Sequence, residues 1–347
     1  MNSKERVLKA IRHEETDYVP ADYWAIPEAT AKLKKYFHTE NIDDVYNQLK
    51  ADIVWIEPTY IGPELKEYRE GNDIIRETFF GNELRFHWNG FEYNALAHYL
   101  PLDGMETVEE IENYRWPSPD WFDYESLKPL CDRYQDKAIL IGDQGVYQYA
   151  TFMRSAEQLY MDMALEPELA EAIFRKFSEF EVEYYGRMME ACDGQFDILR
   201  VCDDYGSQNS MLFSRDMWDR FFAENTKKLT RLSHDHGGYY MQHSCGAVRP
   251  IIPNLIECDV DILNPLQKVV GLEPQGLKDD FGDQICFQGG IDTQYLLPHG
   301  TPEEVDAEAR QYIDILGKNG GYILNGSQAL EGDVPVENII AMYNARF

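Results

Sequence analysis

His243-Ser244-Cys245-Gly246 carries the sharpest chemistry in the chain. Residues two apart on a strand point the same way, so an imidazole and a thiolate placed there converge on one atom. A borderline-soft cation such as Zn²⁺ accepts both donors at roughly 2.0–2.3 Å. The pair by itself fits three readings: a metal site, a Cys–His catalytic dyad, or a loop-capping histidine beside a quiet cysteine. Of these the dyad is the awkward one, because side chains two apart on one strand hydrogen-bond poorly. The adjacent acids Asp203 and Asp204 are the second signal. Neighbouring strand residues face opposite ways, so one carboxylate serves a site and the other a loop. Asp204 is assigned to the site. Further polar residues follow other apolar runs: Glu57, Gln144, Gln208, Asn264, Asp292 and Gln328. Glu57, Gln144, Gln208 and Asn264 suit substrate contacts, and Asp292 joins Asp204 as a candidate acid or orienting group.

The elements that must position these groups are legible as short apolar runs. Strands are expected at 19–25, 52–58, 138–143, 196–203, 238–243, 260–264, 285–289 and 321–325. The runs are nearly continuous in apolar residues, as parallel strands covered on both faces require. Helical pattern lies between most of them, at 27–49, 155–192, 215–236, 248–257, 302–318 and 335–345. Ser214 and Thr301 stand where N-caps belong, and Pro302 and Pro335 suit a first turn. This alternation is that of a TIM (β/α)₈ barrel, whose active sites lie at the C-terminal strand ends. The polar residues above all fall there. One stretch interrupts the alternation. Residues 60–100 alternate polar and apolar, with turn signals at Gly71-Asn72, Gly81-Asn82 and Asn89-Gly90, which predicts an inserted antiparallel β-meander. Its aromatic residues Trp88, Phe91, Tyr93 and Tyr99 either pack it onto the barrel or form a lid or docking rim. One domain spanning residues 1–347 is expected.

Composition narrows the function classes. The chain has 347 residues, of which 44% are hydrophobic, and Lys+Arg 32 against Asp+Glu 62 gives a formal charge of −30. That field repels a phosphate backbone and an anionic membrane surface, so neither nucleic acid nor membrane is an expected partner. No apolar run approaches the roughly 18 residues of a spanning helix. The 6 cysteines form no CxxC pair. They are too few and scattered for a disulfide scaffold, and the charged amphipathic start is no secretory signal, so a cytoplasmic location with reduced thiols is expected.

The segments SKERVLKAIRHEETDYVP, DDYGSQ, HSCGAVRPIIPNLIECDVDILNPLQ, FQGGIDTQYLL and DVPVENIIAMYNA resemble, in the same order, the uroporphyrinogen decarboxylase superfamily. That superfamily also contains cobalamin-dependent methyltransferases. The resemblance covers nearly the whole chain and implies a TIM barrel. Its haem-pathway decarboxylases carry an Arg-rich, RQAGRY-like stretch that clamps substrate carboxylates. The matching stretch here, ADYWAIPEATAKL, has no arginine, which argues against a porphyrinogen substrate. The methyltransferase branch holds zinc with a His-x-Cys pair and a later Cys shortly before a Pro-x-x-Asn motif. His243-x-Cys245 matches the pair, and Gln328 stands at the later position, ahead of Pro335-Val336-Glu337-Asn338. The third zinc ligand is then Gln328 or a rim carboxylate. The resemblance implies a zinc-dependent methyltransferase working between a small O-, N- or S-methyl donor and the corrinoid of a partner protein. The cobalamin arrives on that partner, since no DxHxxG motif occurs here. A decarboxylase of a small or tetrapyrrole acid is the alternative, and a homodimer is compatible with the sequence.

Overall fold

A computed structural model describes residues 1–347. Its strands, in chain order, are β1 (Ile53–Trp55), β2 (Thr59–Tyr60), β3 (Glu67–Glu70), β4 (Asp73–Glu77), β5 (Glu83–Trp88), β6 (Tyr93–Tyr99), β7 (Phe122–Asp123), β8 (Ala138–Gln144), β9 (Ile198–Cys202), β10 (Tyr239–His243), β11 (Ile262–Leu266), β12 (Cys286–Ile291) and β13 (Tyr322–Gly326). Parallel pairing runs β1-β8-β9-β10-β11-β12-β13, each strand beside its predecessor in the barrel. The segment around Ala21–Ala25 occupies the remaining gap, bridging Leu324 and Leu330 on one side. On the other, the Asp52 N–H donates to the Ala21 carbonyl at 2.8 Å. The ring is a TIM barrel.

Alternation along the strands divides the core. Ile53, Leu140, Ile198, Met241, Ile262, Cys286 and Ile323 point inward, and Val7 and Ile11 of helix Ser3–Ile11 join them as a basal plug. Leu199, Val201, Leu263 and Phe287 point outward into the larger core shared with the helices. With its floor sealed by this apolar layer, the barrel can admit a ligand only from the C-terminal end.

The expected strand at 19–25 is reduced to isolated bridges at Ala21 and Ala25. A side chain replaces the missing backbone partner: the Ala21 N–H donates to Asp52 Oδ2 at 2.9 Å. Asp52 is fully buried, and Arg6 (2.6 Å) and Arg346 (3.1 Å) neutralise it there. Helical pattern at 155–192 divides just ahead of Pro167, into Ala156–Leu165 and Pro167–Cys192, because the residue before proline disfavours the helical region. Ser214 caps Arg215–Phe221, and Thr301 forms a capping box with Glu304. No helix is long and apolar enough to cross a membrane.

The expected meander is present as the antiparallel sheet β3-β4-β5-β6. Gly71-Asn72 joins β3 to β4, Gly81-Asn82 lies before β5, and Asn89-Gly90 opens the loop to β6. Its far loop reaches the barrel mouth, where the Gly332 N–H donates to Glu92 Oε2 at 2.9 Å. Trp88, Phe91, Tyr93 and Tyr99 are exposed, with the Trp88 and Tyr93 rings 5.0 Å apart.

Candidate functional site

Asp204, His243 and Cys245 converge at the barrel mouth, with one potential ligand atom each, all within 4.8 Å of one another. Their placement follows from two loops that touch. Gly246 has φ +89°, and a Cβ there would lie 2.2 Å from the Gly206 carbonyl carbon. Only glycine tolerates that backbone and that approach. The contact draws the loop after β9 against the loop after β10, and the Cys245 N–H donates to Asp204 Oδ1 at 2.9 Å. His243 Nε2 then lies 3.4 Å from Asp204 Oδ1 and 3.5 Å from Cys245 Sγ.

The neighbouring strand decides which ring nitrogen faces the site. His243 pairs in register with Asn264 on β11, and His243 Nδ1 lies 2.6 Å from Asn264 Oδ1. An amide oxygen only accepts, so Nδ1 carries a hydrogen toward Asn264 and Nε2 is the ring nitrogen turned toward Asp204 and Cys245. Asn264 is fully buried, and it positions the histidine.

Electrostatics favour a cation at this point. Burial pushes the Asp204 carboxyl up, but His243 and the Cys245 N–H outweigh it and hold the group below its usual range. Burial, and then the adjacent Asp204, push the Cys245 thiol up. A carboxylate, an imidazole nitrogen and a thiol are therefore packed together. Nitrogen, sulfur and oxygen donors in this number suit zinc with an open position. Gln328 also reaches the site, but it turns its amide nitrogen to Cys245 Sγ (3.3 Å) and its oxygen to the Ala329 N–H (3.1 Å). Asp204 is the carboxylate brought into the third place.

The other acid of the pair has the structural task. Asp203 accepts from the Gln148 N–H (2.8 Å) and the Tyr205 hydroxyl (2.9 Å), and burial raises it to about 7. Asp292 accepts from the Gln294 N–H at 2.9 Å and caps the turn into Leu296–His299. It shares a rim cavity of about 110 Å³ with Gln208, Gln267 and Ser327, apart from the His243 cluster. Glu57 is exposed at the mouth, where partial desolvation and then Asp143 raise its carboxyl. Gln144 ends β8 on its inward face. Cys202, Cys258 and Cys286 are buried, as their apolar surroundings in the sequence imply.

Trp24, Trp55 and Arg200 line the mouth and carry no motif. The Trp24 ring meets His243 edge-on at 5.3 Å. Arg200 stands over Trp24 and Trp55, at 5.0 and 4.8 Å from the ring centroids. A signal existed: Arg200 is the charged residue within an otherwise apolar strand, two residues from inward-facing Ile198.

Where the insert meets the mouth, Glu331 is raised to about 7, first by burial and then by Glu92 and Asp333. Its folded value exceeds the unfolded one, so the strain is absent below the unfolded value and develops as pH rises toward about 7. Glu331→Gln should therefore raise the Tm at pH 8 and leave it nearly unchanged at pH 4. Equal shifts at both values would show that Glu331 carries no such strain.

Residues 101–346 match the family described as Uroporphyrinogen decarboxylase (URO-D). Curated uroporphyrinogen decarboxylases from Coxiella burnetii strains are 21% identical over 209 residues, covering 56% of this chain and 50% of theirs. The chain thus matches about half the length of these relatives. A methyltransferase from Methanosarcina mazei shares the fold, with TM-score 0.71 and 17% identity over 100% of this chain and 98% of that one. With more than half its length matched and the barrel in place, the chain belongs to the uroporphyrinogen decarboxylase (URO-D) family.

Proposed function

We propose that the chain is a zinc-dependent methyltransferase that passes a methyl group between a small O-, N- or S-methyl donor and the corrinoid of a partner protein. The observation that carries this reading is the donor set: His243 Nε2, Cys245 Sγ and Asp204 Oδ1 converge at the C-terminal end of the barrel. Bound there, zinc would supply Lewis-acid polarisation of the donor heteroatom. The protein's own part is positional. Asn264 fixes the imidazole, Asp204 serves as ligand or as the carboxylate that orients the donor, and Gln328 donates toward Cys245 Sγ. Glu57, just beyond β1, and Gln144, at the end of β8, contact the donor, and Gln208 and Asp292 line the neighbouring rim cavity. Glu57, held above its ordinary range, is suited to protonate a leaving group. The exposed Trp88, Phe91, Tyr93 and Tyr99 form a docking rim for the corrinoid protein. That docking is transient, because the corrinoid must also reach a reductase or a methyl acceptor. The fold shared with the Methanosarcina mazei methyltransferase supports the reading.

Decarboxylation of a small or tetrapyrrole acid is the second reading, favoured by the name of the curated relatives. Against a polyacid stands the mouth itself, where Arg200 already faces Asp22 and Asp143. One assay separates the two. The purified chain alone should turn over no methyl donor, and activity should appear on adding reduced free cobalamin or a corrinoid protein. Multiple turnovers without either, with release of CO₂ from an acid, would establish the lyase instead.

A further inference from the structure

Four arginines are buried in this protein: Arg6, Arg154, Arg200 and Arg346. Three of them hold carboxylates, Arg6 and Arg346 on Asp52 and Arg154 on Asp162. Arg200 is 4% exposed, forms no ion pair, and its Nε has no hydrogen-bond partner. A buried guanidinium with an unsatisfied donor is costly, and a bound ligand is one way to complete it.

The surroundings are built for a ligand and not for a structural ion pair. Ile198 belongs to the basal plug, so strand alternation turns Arg200 inward one layer above it. Its register neighbours are Gly142 on β8, whose missing side chain lets the two backbones approach, and Met241 on β10. Asp22 and Asp143 feel the guanidinium's field but are engaged elsewhere. Asp22 accepts from Gln288 at 2.7 Å and Asn325 at 3.4 Å, and Asp143 accepts from the Gln144 N–H at 2.8 Å. Gln288 Oε1 and Asn264 Nδ2, both buried, also lack partners. Two indoles flank the cation. Trp24 touches both Arg200 and the His243 ring, so the guanidinium and the metal-ligand cluster lie one indole apart.

We propose that Arg200, flanked by Trp24 and Trp55, anchors the carboxylate of the small molecule on which the barrel acts. The substrate class is a small monocarboxylate with a flat apolar body, its acid on Arg200 and its far end directed toward His243 and Cys245. Guanidinium pairs with carboxylate through parallel N–H···O bonds, and the indoles supply the apolar walls. The inference rests on the barrel mouth being the substrate site, and it holds for a methyl donor or for a decarboxylated acid.

Binding of benzoate, followed by quenching of tryptophan fluorescence and by calorimetry, tests it without catalysis. Benzamide should bind roughly tenfold to hundredfold more weakly than benzoate, the worth of a charge-assisted hydrogen bond. Arg200→Met should lose benzoate by a similar factor, Arg200→Lys by less, and Cys245→Ala should retain it. Retention in Cys245→Ala separates the guanidinium from a bound metal as the anion's partner. If Arg200→Met fails to fold, the benzoate–benzamide comparison on the unaltered chain and Arg200→Lys decides. Equal affinity for the two probes, no benzoate binding, or loss in Cys245→Ala alone would overturn the anchor. So would inorganic phosphate binding more tightly than benzoate. Benzoate binding without methyl transfer would keep the anchor and remove the methyltransferase reading.

Discussion

Cys245→Ala is expected to leave the purified chain without zinc and without turnover. The site offers three donors, and the thiolate is the strongest of them for zinc. Removing it leaves His243 Nε2 and Asp204 Oδ1, 3.4 Å apart. Two protein donors fall short of the three that catalytic zinc sites use. The fold should survive, since Cys245 is only partly buried and its N–H still reaches Asp204. Metal content by mass spectrometry, on protein prepared without chelator, reads the result. Cys258→Ala is the control: that thiol is 2% exposed, lies in the helix-facing core, and should keep full zinc. Full occupancy in Cys245→Ala would remove the metal assignment.

Much of this site was legible because its residues follow directly on the apolar runs of the barrel strands. The strand expected to carry His243 is there, but Cys245, Asp203 and Asp204 lie just past the strand ends, and the contact between the two loops completes the cluster that a period of two suggested. What was hidden depended on register between strands. Asn264 reads as a substrate contact until its pairing with His243 places its oxygen on Nδ1. Arg200 sits in an apolar run, and only the barrel's closure brings Trp24 and Trp55 to it. The barrel strands themselves were readable as apolar runs. The first was overestimated because its partner is the Asp52 carboxylate, and the arginines that neutralise Asp52 lie 46 and 294 residues away in sequence. No local pattern encodes such a pairing.

Asp204→Asn is expected to be the second severe lesion, and it identifies the third ligand. The amide keeps the size of the carboxylate, and its oxygen can still accept the Cys245 N–H that Asp204 accepts at 2.9 Å. The two glycine-mediated loops should therefore stay in contact, and metal-free stability should change little. What disappears is the negative charge among the donors, and a neutral amide oxygen is a poor zinc ligand beside a thiolate and an imidazole. Asn264→Ala provides the scale, because removing the group behind a ligating histidine costs roughly tenfold to hundredfold in metal affinity. Asp204→Asn should exceed that loss in chelator competition. Gln328→Ala should fall below it, since Gln328 spends its oxygen on the Ala329 N–H and presents only nitrogen to the sulfur. The reverse order, with zinc lost from Gln328→Ala and kept in Asp204→Asn, would make the amide the ligand. Asp204 would then be free of the metal and available to orient the donor or protonate its leaving group.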